Sequence, residues 1–98
     1  MSEDARIRAL ELLRATHTFP GEYQLSVITL SEDQVFSDLR AAVDDGLRAP
    51  LAHSAYELVP SGGGKYTSHR FKVPCDSAED VLALYARLSR VKGVVTML

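Results

Sequence analysis

The sequence contains a single cysteine, Cys75, and no tryptophan. One cysteine excludes an internal disulfide and any metal site that needs several cysteines. No apolar run is long enough to span a bilayer, and the first residues lack the hydrophobic centre of a secretion signal. We therefore expect a cytoplasmic protein that does not enter a membrane, and we predict neither a metal nor a cofactor.

An excess of charge of one sign is also missing. The chain has 11 Lys and Arg residues against 13 Asp and Glu residues, which gives a formal net charge of −2. No overall positive field attracts the protein to nucleic acid or to an anionic membrane, although these totals leave room for a local basic patch. With 98 residues, of which 46% are hydrophobic, the chain predicts one domain with a modest core.

A glycine-rich turn and the strand after it organise the rest of the chain. Gly62–Gly64 have no Cβ atoms and predict a hairpin turn. The next segment, Tyr66–Cys75, has the residue types and the alternation of a strand. The side of Phe71 should face the core, whereas the side of Arg70 and Lys72 should face water or a ligand.

The other helices and strands follow from apolar spacing and from capping residues. Ser31 with Gln34 has the pattern of a capping box, and Ser77 with Asp80 has the pattern of a helix N-cap. The predicted elements, in chain order, are a helix Glu3–Ala15, a strand Tyr23–Thr29, a helix that begins at Ser31, a strand His53–Val59, the strand Tyr66–Cys75, a helix Asp80–Arg90 and a strand Val94–Leu98.

This order predicts an α+β fold of the ferredoxin-like type. After the first helix the chain reads βαββαβ, and right-handed crossovers place the four strands in the antiparallel order 4-1-3-2. Both later helices should cover one face of the sheet. We divide the chain into an N-terminal helical arm, residues 1–18, and a ferredoxin-like domain, residues 19–98. The second face of the sheet is open unless the arm or a partner covers it.

Several short motifs, in this order and spacing, resemble the family called domain of unknown function 493, also termed YbeD-like. They are Leu12-Leu13, the run ATHTFPG from Ala15 to Gly21, Tyr23, Val27, the run GKYTS from Gly64 to Ser68, Leu84-Tyr85 and VTML from Val95 to Leu98. The chain departs from the family at His69 and Arg70, at Pro74, and at Thr29, where a glycine is common. The resemblance implies a ferredoxin-like fold that is similar to small regulatory domains which bind amino acids. It implies no catalytic residue.

These observations favour a non-enzymatic regulatory or interaction module. It would bind a small anionic metabolite or a protein partner through the open face or the strand edges. The outer strands His53–Val59 and Val94–Leu98 have unpaired main-chain groups, so a homodimer through strand edges is a further prediction. The residues predicted to bind a ligand share the open face, and they are Gln24, Ser26, Ser68, Arg70 and Lys72.

Other interpretations use the same segments. The open face is an alternative site for RNA, but Tyr66 is the only aromatic residue that we place on its central strands. An enzyme would use Cys75 as a nucleophile, because its position before a helix should lower the pKa of its thiol. No histidine is near Cys75 in the sequence, so we expect a small buried residue instead. A phosphate loop at Gly62–Lys65 lacks the required spacing, and it joins two strands instead of a strand and a helix. The three histidines have no metal-ligand spacing, so we expect structural roles for them.

Overall fold

The computed structural model describes residues 2–47 and 51–98. Its helices and strands confirm the predicted order, with a single 3₁₀ turn at His53–Ala55 before the second strand. No helix in the described part of the chain is long and apolar enough to cross a membrane. The elements are α1 (Glu3–Thr16), β1 (Gly21–Leu30), α2 (Asp33–Asp44), β2 (Tyr56–Pro60), β3 (Tyr66–Cys75), α3 (Ala78–Leu88) and β4 (Val94–Met97).

The four strands form one antiparallel sheet in the order β2-β3-β1-β4, which is the predicted order read from the opposite edge. The two longest strands, β1 and β3, lie at the centre and pair along their whole length, from Gly21 opposite Cys75 to Leu30 opposite Tyr66. A β-bulge interrupts the pairing of β1 with β4 between Ile28 and Thr29. The α+β, ferredoxin-like prediction is therefore confirmed.

Alternation along the central strands separates a core face from an open face. On β3, every second residue from Thr67 to Cys75 is buried, as the sequence predicted. Leu25 and Val27 of β1 lie on the same face. Apolar residues of α2 and α3 complete this core, among them Leu39 and Leu84, because both helices pack on that one side of the sheet.

The N-terminal helix packs against α3 and leaves the open face uncovered. Leu10 is the buried residue of α1, and Leu13 packs against the edge of the core. Arg14 forms an ion pair with Glu79 at the start of α3, with Nη2 2.8 Å from Oε2. Since the arm joins the helical layer, no described element covers the second face of the sheet.

The predicted capping box of α2 is wrong. The cap position is Glu32, whose side chain makes no capping hydrogen bond. Ser31 instead continues the β1–β3 ladder, because its N–H donates to the carbonyl of Lys65 (3.0 Å), and its Oγ lies 2.8 Å from Oγ1 of Thr67. Gln34 donates to Asp38 one turn later. Local sequence favoured a cap, but the tertiary partner of Ser31 was available only in the folded sheet.

The boundaries of β2 and α3 also differ from the prediction. His53 lies in the 3₁₀ turn and not in a strand, because the N–H of Tyr56 is held by the carbonyl of His53 and pairing with β3 starts only there. Ser77 caps α3 as predicted, and its Oγ accepts from the N–H of Asp80 (3.3 Å). The helix itself begins two residues earlier than predicted, at Ala78.

Candidate anion-binding site on the open sheet face

The strand register places the five predicted ligand-binding residues close together. Gln24 of β1 lies directly opposite Lys72 of β3, and Ser26 lies opposite Arg70 on the next rung of the same face. Ser68 follows on the third rung. The five residues therefore form a continuous polar patch, and their role in binding stays a prediction.

The open face has a polar end and an apolar end. The rungs of Gln24 and Ser26 carry the charged and amide side chains. Beyond Ser68, the face continues with the half-buried side chains of Ile28 and Leu30 and ends at Tyr66. The polar side chains of this face therefore concentrate where β1 begins and β3 ends.

The positive charge of the patch is only weakly neutralised. Arg70 and Lys72 are both exposed. Glu57 of β2 lies opposite Arg70, but its Oε2 is 3.9 Å from Nη1, at the outer limit of an ion pair. Because both partners are more than half exposed, this contact adds little to stability and is easily displaced.

A shallow depression of about 570 Å³ lies at the polar end of the face, beside the start of β2. It opens there because the strand is replaced by the 3₁₀ turn His53–Ala55. Four of the five predicted residues line it, and Ser68 does not. The lining residues are Gln24, Leu25, Ser26, Ser54, Ala55, Tyr56, Glu57, Arg70, Phe71, Lys72 and Leu98.

Comparison with known families identifies the chain. A family model described as a protein of unknown function, DUF493, matches residues 14–98. The chain belongs to the DUF493 family. The match confirms the resemblance in the sequence and covers the whole ferredoxin-like domain. Among curated proteins, none matches the chain. Because the family is one of unknown function, the activity of this DUF493 protein has to be argued from its site.

A slightly larger depression, of about 610 Å³, lies where β3 ends and is lined by residues of both charges. Its arginine, Arg87, already has structural partners. Nε of Arg87 donates to the carbonyl of Ala42 (3.3 Å), and the guanidinium lies against Gly46, where it leaves no room for a Cβ atom. This arginine closes the end of α2, so the smaller depression is the better candidate for an anion.

Cys75 is the small buried residue that we expected, and its thiol lacks the lowered pKa on which the enzyme interpretation depends. It is buried, and burial together with the carboxylates of Asp80 and Asp76 raises the pKa of its thiol to about 11. The helix that follows Cys75 would by itself favour a lower pKa, but the nearby carboxylates raise it. A thiol that stays protonated at neutral pH is a poor nucleophile, which removes the main support for the enzyme interpretation of this DUF493 protein.

His69 is a buried polar residue whose partners the sequence did not reveal. Its Nε2 lies 2.9 Å from Oγ1 of Thr29, and its Nδ1 lies 2.7 Å from the hydroxyl of Tyr56. Thr29 donates its own hydroxyl hydrogen to the carbonyl of Leu30, so it accepts from His69 Nε2–H. Nδ1 then accepts from Tyr56. Burial lowers the pKa of His69 to about 4, which keeps the ring neutral.

The histidines form no metal site in the described part of the chain. His69 lies in the core, whereas His17 and His53 are exposed. No group of three or more His, Cys, Asp and Glu side chains suited to a metal ion occurs among residues 2–47 and 51–98. The alternation of residues in the sequence placed His69 on the core side of β3, and this position indicated a structural role.

The open face offers little for nucleic-acid bases to stack on. In the described strands, Tyr66 is the one aromatic residue whose register position lies on this face, and it is at the apolar end. Tyr23 and Phe71 face the core, as does Tyr56, which stacks on Phe71. Single-stranded nucleic acid is usually bound by several stacking residues beside positive charge. The RNA alternative therefore has no specific structural support.

The edge of β2 is poorly suited to strand pairing with a second copy. At its outer positions, the N–H of Tyr56 is bonded to His53, and Pro60 has no N–H at all. Only Leu58 remains as a donor on that edge. β4 has four residues, and a bulge interrupts its pairing with β1; short or bulged edge strands resist pairing with another chain. The homodimer through strand edges stays a prediction.

Proposed function

We propose that this DUF493 protein is a non-enzymatic regulatory module of the cytoplasm that binds a small anionic metabolite on its open sheet face. One observation carries the proposal. Gln24 and Lys72, and likewise Ser26 and Arg70, are directly opposed on the face that no described element covers. Two cations, an amide and a hydroxyl on neighbouring rungs provide the donors that an anion needs, and Arg70 has only a weak competitor in Glu57.

The site is suited to recognition and not to turnover. No nucleophile or general base of shifted pKa lies among the residues that line the depression, apart from Tyr56, whose pKa is raised by burial. The buried groups His69 and Cys75 belong to the core. A binding module senses its ligand through a change in the surface that it presents to other proteins, and an uncovered sheet face is such a surface.

The first experiment is an amide NMR map of ¹⁵N-labelled protein with and without the small-molecule fraction of a bacterial lysate. Shifts that cluster on residues 24–28 and 68–72 are expected, and fractionation then isolates the ligand. If no amide on this face shifts, the metabolite proposal is wrong, and the next search would be for a protein partner.

Charge-matched variants test the assignment of the residues. The double variant Arg70→Ala/Lys72→Ala should abolish binding and leave thermal stability almost unchanged, because both side chains are exposed. The control Arg8→Ala/Lys92→Ala removes the same charge from exposed positions outside the sheet face and should bind normally. Binding that persists in the first variant would overturn the site.

A further inference from the structure

The apolar end of the open face is a patch of four side chains, those of Ile28, Leu30, Val59 and Tyr66. Strand pairing places them on two adjacent rungs. Ile28 and Val59 lie on either side of Ser68, and Leu30 lies opposite Tyr66 on the next rung. Tyr66 is exposed, and the other three are half-buried. Because the solvated face of an antiparallel sheet is usually polar, this apolar patch indicates a surface that a partner covers.

The apolar patch is suited to a protein surface and not to a small molecule. Neither depression, of about 570 Å³ and 610 Å³, is lined by any of its four residues. The N-terminal arm does not cover it, since α1 packs against α3. A second copy stacked over the whole face would bury Arg70, Lys72 and Glu57 of both chains, and burial of charges without close pairing is costly. The partner is therefore smaller than the face.

Positive side chains border the apolar patch at both ends along β3. At one end, Nζ of Lys65 lies 5.3 Å from the centroid of the Tyr66 ring. At the other end, Arg70 lies on the rung that follows the patch, and its guanidinium is held only weakly by Glu57. A partner that covers the patch therefore meets one cation near each of its ends.

Fewer acids than cations share this face. In the described strands, the register places two acids on it, Glu22 and Glu57. Glu22 lies at the polar extreme of the face, beyond Lys72 and farthest from the apolar patch. Against these acids stand Lys65, Arg70 and Lys72. The complementary partner surface is apolar at its centre and acidic at both ends.

The dimensions of the apolar patch match a single helix. All four strands are present at the rung of Ile28, which spans three gaps and is about 14 Å wide. A helix with its side chains is about 10–12 Å across. From Tyr66 to Arg70 the strand covers about 13 Å, a distance that a helix covers in about nine residues. Acids about nine positions apart on one helix would therefore lie near both cations.

We propose that the apolar patch docks one amphipathic helix of a partner protein. The apolar stripe of that helix packs on Ile28 and Tyr66, and its acidic residues lie near Lys65 and Arg70. This inference goes beyond the proposed function, because the metabolite site uses the polar end of the face. Arg70 belongs to both sites, so a bound anion and a docked helix compete for its guanidinium, and each weakens the binding of the other.

The test selects ligands from a phage library of helical peptides about 16 residues long, with the immobilised protein as bait. Enriched peptides should have apolar residues at helical spacing and Asp or Glu about nine positions apart. A synthetic copy of the strongest binder is then added to ¹⁵N-labelled protein. It should shift the amides of residues 28–30, 59 and 65–70.

Variants of the protein identify the surface that the peptide uses. Ile28→Thr/Tyr66→Thr removes apolar area but keeps residues suited to strands, and it should weaken peptide binding at least about tenfold. Thermal unfolding checks that this variant is folded. Lys65→Ala should weaken binding about threefold and make it less sensitive to salt. Leu12→Gln is the matched control, because it removes an exposed apolar side chain from α1 and should leave binding unchanged.

The outcomes separate this inference from the metabolite proposal. Selected peptides that bind the double variant equally well, or that are basic instead of acidic, would overturn helix docking and leave the metabolite site standing, as would a library that yields no binder. A dimer in sedimentation whose Ile28 and Tyr66 amides shift on dilution would assign the apolar patch to a second copy. Competition between the peptide and anionic vesicles would assign it to a membrane surface and would also overturn the helix.

Discussion

The hydroxyl of Tyr56 lies 2.7 Å from Nδ1 of His69 and attaches the edge strand β2 to the core. Most of β2 is exposed, and Tyr56 and Val59 are its two half-buried residues. The ring of Tyr56 stacks on Phe71 at a centroid distance of 4.7 Å. Cζ of Arg40 in α2 lies over the same Tyr56 ring, 5.2 Å from its centroid. A polar network and aromatic packing therefore meet at one residue.

Tyr56→Phe should destabilise the protein. The change keeps the stacking but leaves Nδ1 of the buried His69 without its donor, which costs about 1–2 kcal/mol of the free energy of unfolding. Urea unfolding followed by circular dichroism measures the loss. Tyr66→Phe is the matched control, because the Tyr66 ring lies at the exposed end of the sheet and the change should have almost no effect. Equal effects of the two changes would contradict the role of the Tyr56–His69 hydrogen bond.

Acidification should weaken the fold through His69. Its pKa is about 4 in the folded protein and 6.5 without the burial that lowers it, so between these values the unfolded chain binds the proton more readily. The stability that the neutral, buried His69 ring contributes is fully present above pH 6.5, and it is lost as the pH falls toward 4. Integrated over the window, it amounts to about 3 kcal/mol.

The measurement for His69 is the free energy of unfolding as a function of pH, compared with that of two variants. His69→Gln should be less stable at neutral pH but should show a flatter profile between pH 4 and 6.5. His53→Gln changes an exposed histidine and should keep the original profile. If the His69 variant retains the full slope, the acid sensitivity comes from other groups.

The N-terminal arm should depend on apolar packing more than on its ion pair. Leu10→Ala creates a cavity between α1 and the helical layer and should lower the free energy of unfolding by about 2–3 kcal/mol. Arg14→Ala removes the ion pair with Glu79 and should leave that free energy almost unchanged, because both side chains are about half exposed. An unchanged stability of the Leu10 variant would mean that the arm unfolds separately from the domain.

Cys75 should be inert in the native protein. Its buried thiol has a pKa of about 11, so its thiolate fraction at neutral pH is at least about a hundredfold below that of an ordinary cysteine. Iodoacetamide labelling followed by mass spectrometry should be correspondingly slow and should accelerate when urea unfolds the chain. Rapid labelling of the folded protein would revive the enzyme interpretation.

Predictions from the sequence held where one strand or helix carries its own pattern. The alternation of Tyr66–Cys75 predicted both the bounds and the buried side of β3, and Ser77 predicted its helix cap. The same alternation placed Arg70 and Lys72 on the open face. These features are local, because side-chain period and capping depend on residues within a few positions of one another.

The remaining features depend on partners that are far away in the chain. Thr29 and His69 are forty residues apart, and their hydrogen bond exists only because β1 and β3 pair in one register. The same pairing drew Ser31 into the ladder and away from the predicted cap. Local sequence thus determined the elements, their order and the two faces of the sheet. Tertiary structure alone decided where β2 begins, because a strand starts only where its main-chain groups find a neighbouring strand opposite them.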